Sequence, residues 1–148
     1  MTDPPSVSTA MSEARRCAGA ILEIASRIRA ELPDVSMSDA LRVRTEQVCS
    51  ALVGTKHDVV SELFEMDELV GSDAHTSTLV SRMRRLVRWL GEDVDRVHEL
   101  VTDLEAAADR EPGHRAAYVP ISGSAAGVRE AFEATRAAVA GLERPQRG

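Results

Sequence analysis

The sequence predicts an all-α protein, an elongated antiparallel four-helix bundle built on a long central helical hairpin. Three observations carry that prediction. From Val80 to Ala108 apolar residues return at alternating steps of three and four, at Val80, Met83, Val87, Leu90, Val94, Val97, Val101, Leu104 and Ala108. This is the 3.5-residue period of a helix that keeps one seam against a partner. The same alternation recurs near both ends of the chain, at Met11, Ala14, Ala18, Ile21, Ala25, Ile28 and Leu32 and again from Val128 to Leu142. Aromatic residues are only 3% of the 148, so the core has to come from Leu, Val, Ile, Met and Ala, which suits helix packed on helix.

Residues 1–9 hold two prolines among Ser and Thr and read as a flexible leader. The first helix spans about 10–32, with Cys17 and Ile24 widening its apolar face, and Pro33 stops it because proline disfavours a helical residue before it. Ser36 or Ser38 caps the second helix, about 38–70, whose apolar positions Leu41, Val48, Leu52, Val59, Leu63, Met66 and Val70 are less regular. The irregularity centres on Gly54 to His57, where the helix either bends or divides. Gly71 ends it.

The third helix spans about 73–110, on the order of 55 Å long. With Val80 as heptad position a, Leu79, Leu86 and Leu100 fall at g and widen the stripe, as a helix touching several neighbours requires. Pro112, Gly113, Pro120 and Gly123 then punctuate a connection over 111–123. Ser124 caps a fourth helix, about 125–143, with Val128, Ala131, Phe132, Thr135, Ala138, Val139 and Leu142 inward. Its alanines imply close approach to a neighbour, and 144–148 is a tail. Residues 10–143 are thus a single helical domain.

The short link around Gly71 makes helices 2 and 3 antiparallel neighbours. Gly54 then lies level with Trp89, where the missing side chain leaves room for the indole. Arg82, Arg84, Arg85 and Arg88 lie beside Asp58, Glu62, Glu65, Asp67 and Glu68, so two groups that each oppose their own helix dipole compensate each other. The two outer helices are shorter than the hairpin and both attach at its open end. The opposite tip is therefore expected to project uncovered, exposing Val60, Leu63, Phe64, Met66, Leu69, Leu79, Met83 and Leu86, a larger apolar patch than monomers usually carry. The predicted interaction residues are Val60, Phe64, Met66, Leu79, Met83, Leu86 and Trp89. The predicted partner is a second copy, packed tip to tip about a twofold axis, or another helical protein.

Chemistry is sparse. The formal charge of −6, with one lysine, Lys56, among eighteen basic residues, gives no steering toward nucleic acid or an anionic membrane. Cys17 and Cys49 are too few for a zinc cluster or a disulfide scaffold and read as core thiols, level across helices 1 and 2. His57, His75, His98 and His114 form no Glu-x-x-His pair of the kind a di-iron bundle uses. No apolar run is long enough to span a membrane and no cleavable signal opens the chain, so the expected location is cytoplasmic. No catalytic, metal or cofactor residue is assigned.

Two short resemblances bear on function. Glu62-x-x-Glu65 and Glu92-x-x-Asp95 resemble the paired acidic motifs of the MazG-like nucleotide pyrophosphatases, which implies an all-helical enzyme holding magnesium against a triphosphate. The heptad register, however, puts Glu92 at the outermost position f and about 16 Å along the axis from the level of Glu62. Trp89-Leu90-Gly91 is similar to the WXG signature of the small helical-hairpin proteins exported by type VII secretion, which implies a secreted helical protein. In that family the tripeptide sits in the turn, whereas here Leu90 is a seam residue, and Ser122 stands where the family's export signal after Tyr118 would place an acid. The residues themselves favour a non-enzymatic helical interaction protein, a homodimerising adaptor, regulator or accessory factor.

Overall fold

The computed structural model describes residues 6–31, 37–71, 76–110 and 115–143. Four helices account for nearly all of them: α1 (Val7–Glu31), α2 (Asp39–Gly71), α3 (Thr76–Asp109) and α4 (Arg115–Glu143). Each of α1 and α3 packs on both α2 and α4, and α1 also meets α3 across the diagonal. Thr55 of α2 meets Asp93 of α3 while Glu62 meets Arg82. On the next pair of helices Gly91 meets Phe132 while His98 meets Arg129. Residue numbers rise on one helix as they fall on its neighbour, so the order is up, down, up, down, as predicted. No helix among the described residues is long and apolar enough to cross a membrane.

Helix starts follow local chemistry. Ser38 caps α2, its Oγ accepting from Leu41 N at 3.2 Å and its carbonyl from Arg42 N at 3.0 Å. Ser6 does the same for α1, its Oγ accepting from Thr9 N at 3.1 Å. Thus α1 begins at Val7, and Val7 to Thr9 belong to it rather than to the leader. Residues 1–5, the stop at Pro33, the alternative cap Ser36, the turn after Gly71, the Pro112-Gly113 pair and the tail 144–148 lie outside the described residues.

The largest departure from expectation is at 115–124. Predicted as a loop with a cap at Ser124, this stretch is the first third of α4, which runs unbroken through Pro120. Proline removes one backbone hydrogen bond and costs about 3 kcal/mol in a helix interior. Tyr118 and Ile121 flank it and are both buried, and burial of Ile121 alone contributes roughly 1.5–3 kcal/mol. Packing therefore outweighs local propensity. Counted from Tyr118 the apolar spacing continues through Ile121, Ala125 and Val128 without a break; the proline hides it.

The extra length changes which surfaces are covered. About ten residues of helix in place of loop carry α4 roughly 15 Å further along the bundle. Arg15 of α1 pairs with Asp67 near the end of α2, so α1 also reaches that end. The tip does not project as a bare hairpin: Leu63, Met66, Leu79, Met83 and Leu86 are buried among the four helices.

The register of the seams also differs in one respect. On α3 the buried residues are Leu79, Met83, Leu86, Leu90, Asp93, Val97, Leu100, Leu104 and Ala107, the d and g columns of the predicted heptad, with Ala108 of column a at its end. Val80, Val87, Val94 and Val101 of column a are only half-buried. On α2 the inward positions are Thr45, Cys49, Leu52, Val59, Leu63 and Met66, with half-buried Lys56 completing the three-four alternation. That seam looked irregular because Thr45, Cys49 and Lys56 interrupt it. Thr45 and Thr135 tolerate burial by donating their hydroxyls to the carbonyls of Leu41 at 2.7 Å and Ala131 at 2.8 Å.

α2 is continuous through Gly54, and a Cβ placed there would meet nothing within 4 Å, so the gap is not filled by the Trp89 indole. The glycine set by close approach is Gly91, where a Cβ would lie 3.2 Å from the Phe132 ring. These two sites should respond oppositely to one substitution. Gly54→Ala is expected to raise stability by about 0.5–1 kcal/mol. Gly91→Ala gains the same backbone term but must displace Phe132, and Gly91→Leu must lower stability; urea unfolding followed by circular dichroism measures all three.

Candidate functional site

Seven residues were expected to form an interaction tip, and the structure divides them. Met66, Leu79, Met83 and Leu86 lie in the core, and Trp89 is half-buried against its edge. Val60 and Phe64 alone stand outside, 48% and 66% exposed on α2. Half-buried Val53 lies on the same stripe, since Val53, Val60, Phe64 and Asp67 are spaced by seven, four and three residues. Asp67 pairs with Arg15, so this stripe borders α1. It is a second, outer seam running beside the inner one.

Charged groups predicted to compensate each other meet at Arg82. Arg82 Nε lies 2.5 Å from Glu62 Oε1, and its Nη2 lies 2.8 Å from Glu65 Oε2. The hydrogen bond that Arg82 donates to Glu62 is the main cause holding its pKa above the usual value, with Glu65 adding to it. Asp67 is taken instead by α1. Arg82 thus occupies both acids of the Glu62-x-x-Glu65 motif, while Glu92 lies ten positions further along α3, about 15 Å. The four acids of the pyrophosphatase-like pattern are not brought together. Trp89-Leu90-Gly91 falls inside α3, not in a turn. Among the described residues no three His, Cys, Asp or Glu side chains are placed to hold a metal ion; His57 and His98 are exposed, and His75 and His114 are outside the described residues.

Sequence reasoning missed the most unusual group in the core. Asp93 is 0% exposed and occupies column g of α3, in register with Leu79, Leu86 and Leu100. Its Oδ1 accepts from Arg96 Nη1 at 2.7 Å. Thr55 Oγ1 lies 3.3 Å from the same oxygen and 3.1 Å from the Ala51 carbonyl, so one proton is shared between two acceptors. Asp93 Oδ2 is buried without a hydrogen-bond partner. Burial pushes the Asp93 pKa up, and the hydrogen bonds from Arg96 and Thr55 only partly oppose that. The signal was available: the g column reads Leu79, Leu86, Asp93, Leu100, Ala107, and an acid at a seven-residue step among leucines is a core position.

Asp93 belongs to a polar layer midway along the bundle. Lys56, the polar break in the α2 seam, follows Thr55 directly, so the breaks in the two seams coincide in height. From α1, Cys17 comes close enough for the Asp93 charge to act on its thiol, whose pKa burial raises to about 12. Cys49 is not level with it: its Sγ lies 3.9 Å from the Ala25 carbonyl, eight residues past Cys17 on α1. Burial raises the Cys49 pKa to about 11. Both thiols are free and buried, which keeps them protonated and unreactive near neutral pH.

Comparison of the chain with protein families, with curated proteins and with solved structures returns no match.

Asp93 sets a definite pH dependence. A carboxyl whose pKa is raised on folding favours the native state while it is protonated, and the benefit is lost as pH rises from about the unfolded value of 3.8 through the higher folded value. Asp93→Leu removes this penalty and continues the leucine column. It leaves no new orphan, because Thr55 retains the Ala51 carbonyl and Arg96 is about half exposed. Exchanging this buried, half-satisfied carboxylate for an apolar side chain is expected to raise stability by about 1–4 kcal/mol at pH 7. Thermal unfolding of both proteins from pH 4 to 8 measures it, and the difference must grow as pH rises.

Proposed function

We propose that this chain is a non-enzymatic helical interaction protein that pairs with a second copy of itself through the outer face of α2, acting as an adaptor, regulator or accessory factor. The observation that carries the reading is the outer seam itself. An aromatic ring two-thirds in solvent, one turn from an exposed valine, is an anchor of the kind found at interfaces. The remaining residues first expected there are already used within the chain, so the docking surface is Val53, Val60 and Phe64 rather than the tip.

Antiparallel pairing of α2 with its copy places Phe64 on Val53 and Val60 close to the twofold axis. The proposal retains the cytoplasmic location expected from the sequence.

Sedimentation velocity and light scattering at micromolar concentration test the reading. The unaltered chain is expected to be a dimer, and Phe64→Glu combined with Val60→Glu a monomer. Because both side chains are exposed, the helical circular dichroism and melting of the monomeric form should change by no more than about 0.5 kcal/mol. A monomeric unaltered chain, or a dimer indifferent to these substitutions, overturns it.

A further inference from the structure

On the other side of the bundle α3 and α4 pack together but leave a groove over one stretch. Valines 94, 97 and 101 of α3 face a stretch of α4 in which Ser122, Ala125 and Ala126 are all small, and a groove of about 470 Å3 is left between the helices. That volume lies within the range of sites that hold small organic ligands, roughly 300–1,000 Å3. Val94, Val101 and Ala125 are only half-buried, so the groove has an apolar floor open along its length.

Its two polar ends differ in kind. At the end near the start of α4, Tyr118 is buried beside Glu105 and Ser122, and its pKa is raised by burial and by the Glu105 charge. This end therefore carries an acid, Glu105. Toward the other end an Arg129 Nη2 donates to His98 Nδ1 at 3.0 Å. Guanidinium nitrogens only donate, so Nδ1 is the acceptor and neutral His98 carries its proton on Nε2. Arg129 pairs with no carboxylate among the described residues, although Glu130 is adjacent and also lines the groove. A permanent cation and a second N–H donor therefore border one part of the trough, with about 16 Å of helix between Arg129 and Tyr118.

We propose that the α3–α4 groove binds an amphiphilic carboxylate, a medium-chain fatty acid in form, with its head group on Arg129 and His98 and its alkyl chain along Val97, Val101 and Ala125 toward Tyr118. The carboxylate accepts from the free guanidinium N–H groups and from His98 Nε2, charge-assisted bonds in a partly desolvated setting. The chain covers valine surface that α4 is too slender to cover. This site is separate from the α2 face and does not depend on self-association.

Isothermal titration and amide chemical-shift mapping of the full chain with decanoate, decanol and decyltrimethylammonium, all below their micellar concentrations, test the assignment. Decanoate is expected to bind saturably and to shift the amides of residues 94–105 and 118–129. Arg129→Gln should weaken decanoate by about tenfold or more, the usual effect of removing one charged hydrogen-bond partner, while leaving decanol unchanged. Ala125→Leu fills the trough and should abolish binding of both. Arg129 is exposed and its replacement leaves the core intact, so a null result cannot be ascribed to unfolding. Equal affinity for decanoate and the cationic probe, insensitivity to Arg129→Gln, or shifts mapping elsewhere would each overturn the proposal.

Discussion

A helix that carries an apolar seam along thirty or so residues can be covered only by neighbours that run just as far. Every large feature of this bundle answers to that constraint. α2 and α3 present seams from one end to the other, so α1 starts at a Ser6 cap early in the chain and α4 stays helical through a proline. The proline's cost is a single local penalty, whereas leaving Met66, Leu79, Met83 and Leu86 uncovered would forfeit the burial of four large side chains. Length matching, enforced by hydrophobic burial, thus decides secondary structure at a place where local propensity opposes it.

The same core accommodates one carboxylate with an unpaired oxygen. Asp93 sits in a layer with Thr55, close in height to Lys56 and within electrostatic reach of Cys17, so three helices bring polar groups to one height in a mostly aliphatic interior. A half-satisfied buried acid weakens the core around it, and it also penalises any sliding of α3 past α2, since a one-heptad shift would take Asp93 away from the Thr55 hydroxyl. Buried polar positions that fix register at a cost in stability are well attested in coiled coils.

Once the four seams have closed, two kinds of apolar surface remain outside. On α2 a second stripe of valine and phenylalanine runs beside the first, which gives the helix one face for its own bundle and another for a further helix. Between α3 and α4 a run of small side chains keeps the helices slender and leaves a trough with a cation at its rim. The first is convex and suits a flat partner; the second is concave and suits a narrow one.

The sequence by itself determined that the chain is helical, how many helices it has, their order, and which face of α1 and the last two-thirds of α4 turn inward, because periodicity is a property of neighbours along the chain. It also held the position of Asp93 in plain view, in a column of leucines, although the register had to be read one column over to see it. Only the tertiary structure decided that 115–124 is helix and that the hairpin tip is covered, and hence that Phe64 and Val60 stand outside while Met66 and Leu86 do not. Those outcomes depend on which helix lies opposite which at a given height. Local spacing carries no information about height, since a proline's penalty and a seam's exposure are weighed against contacts made by residues fifty or more positions away.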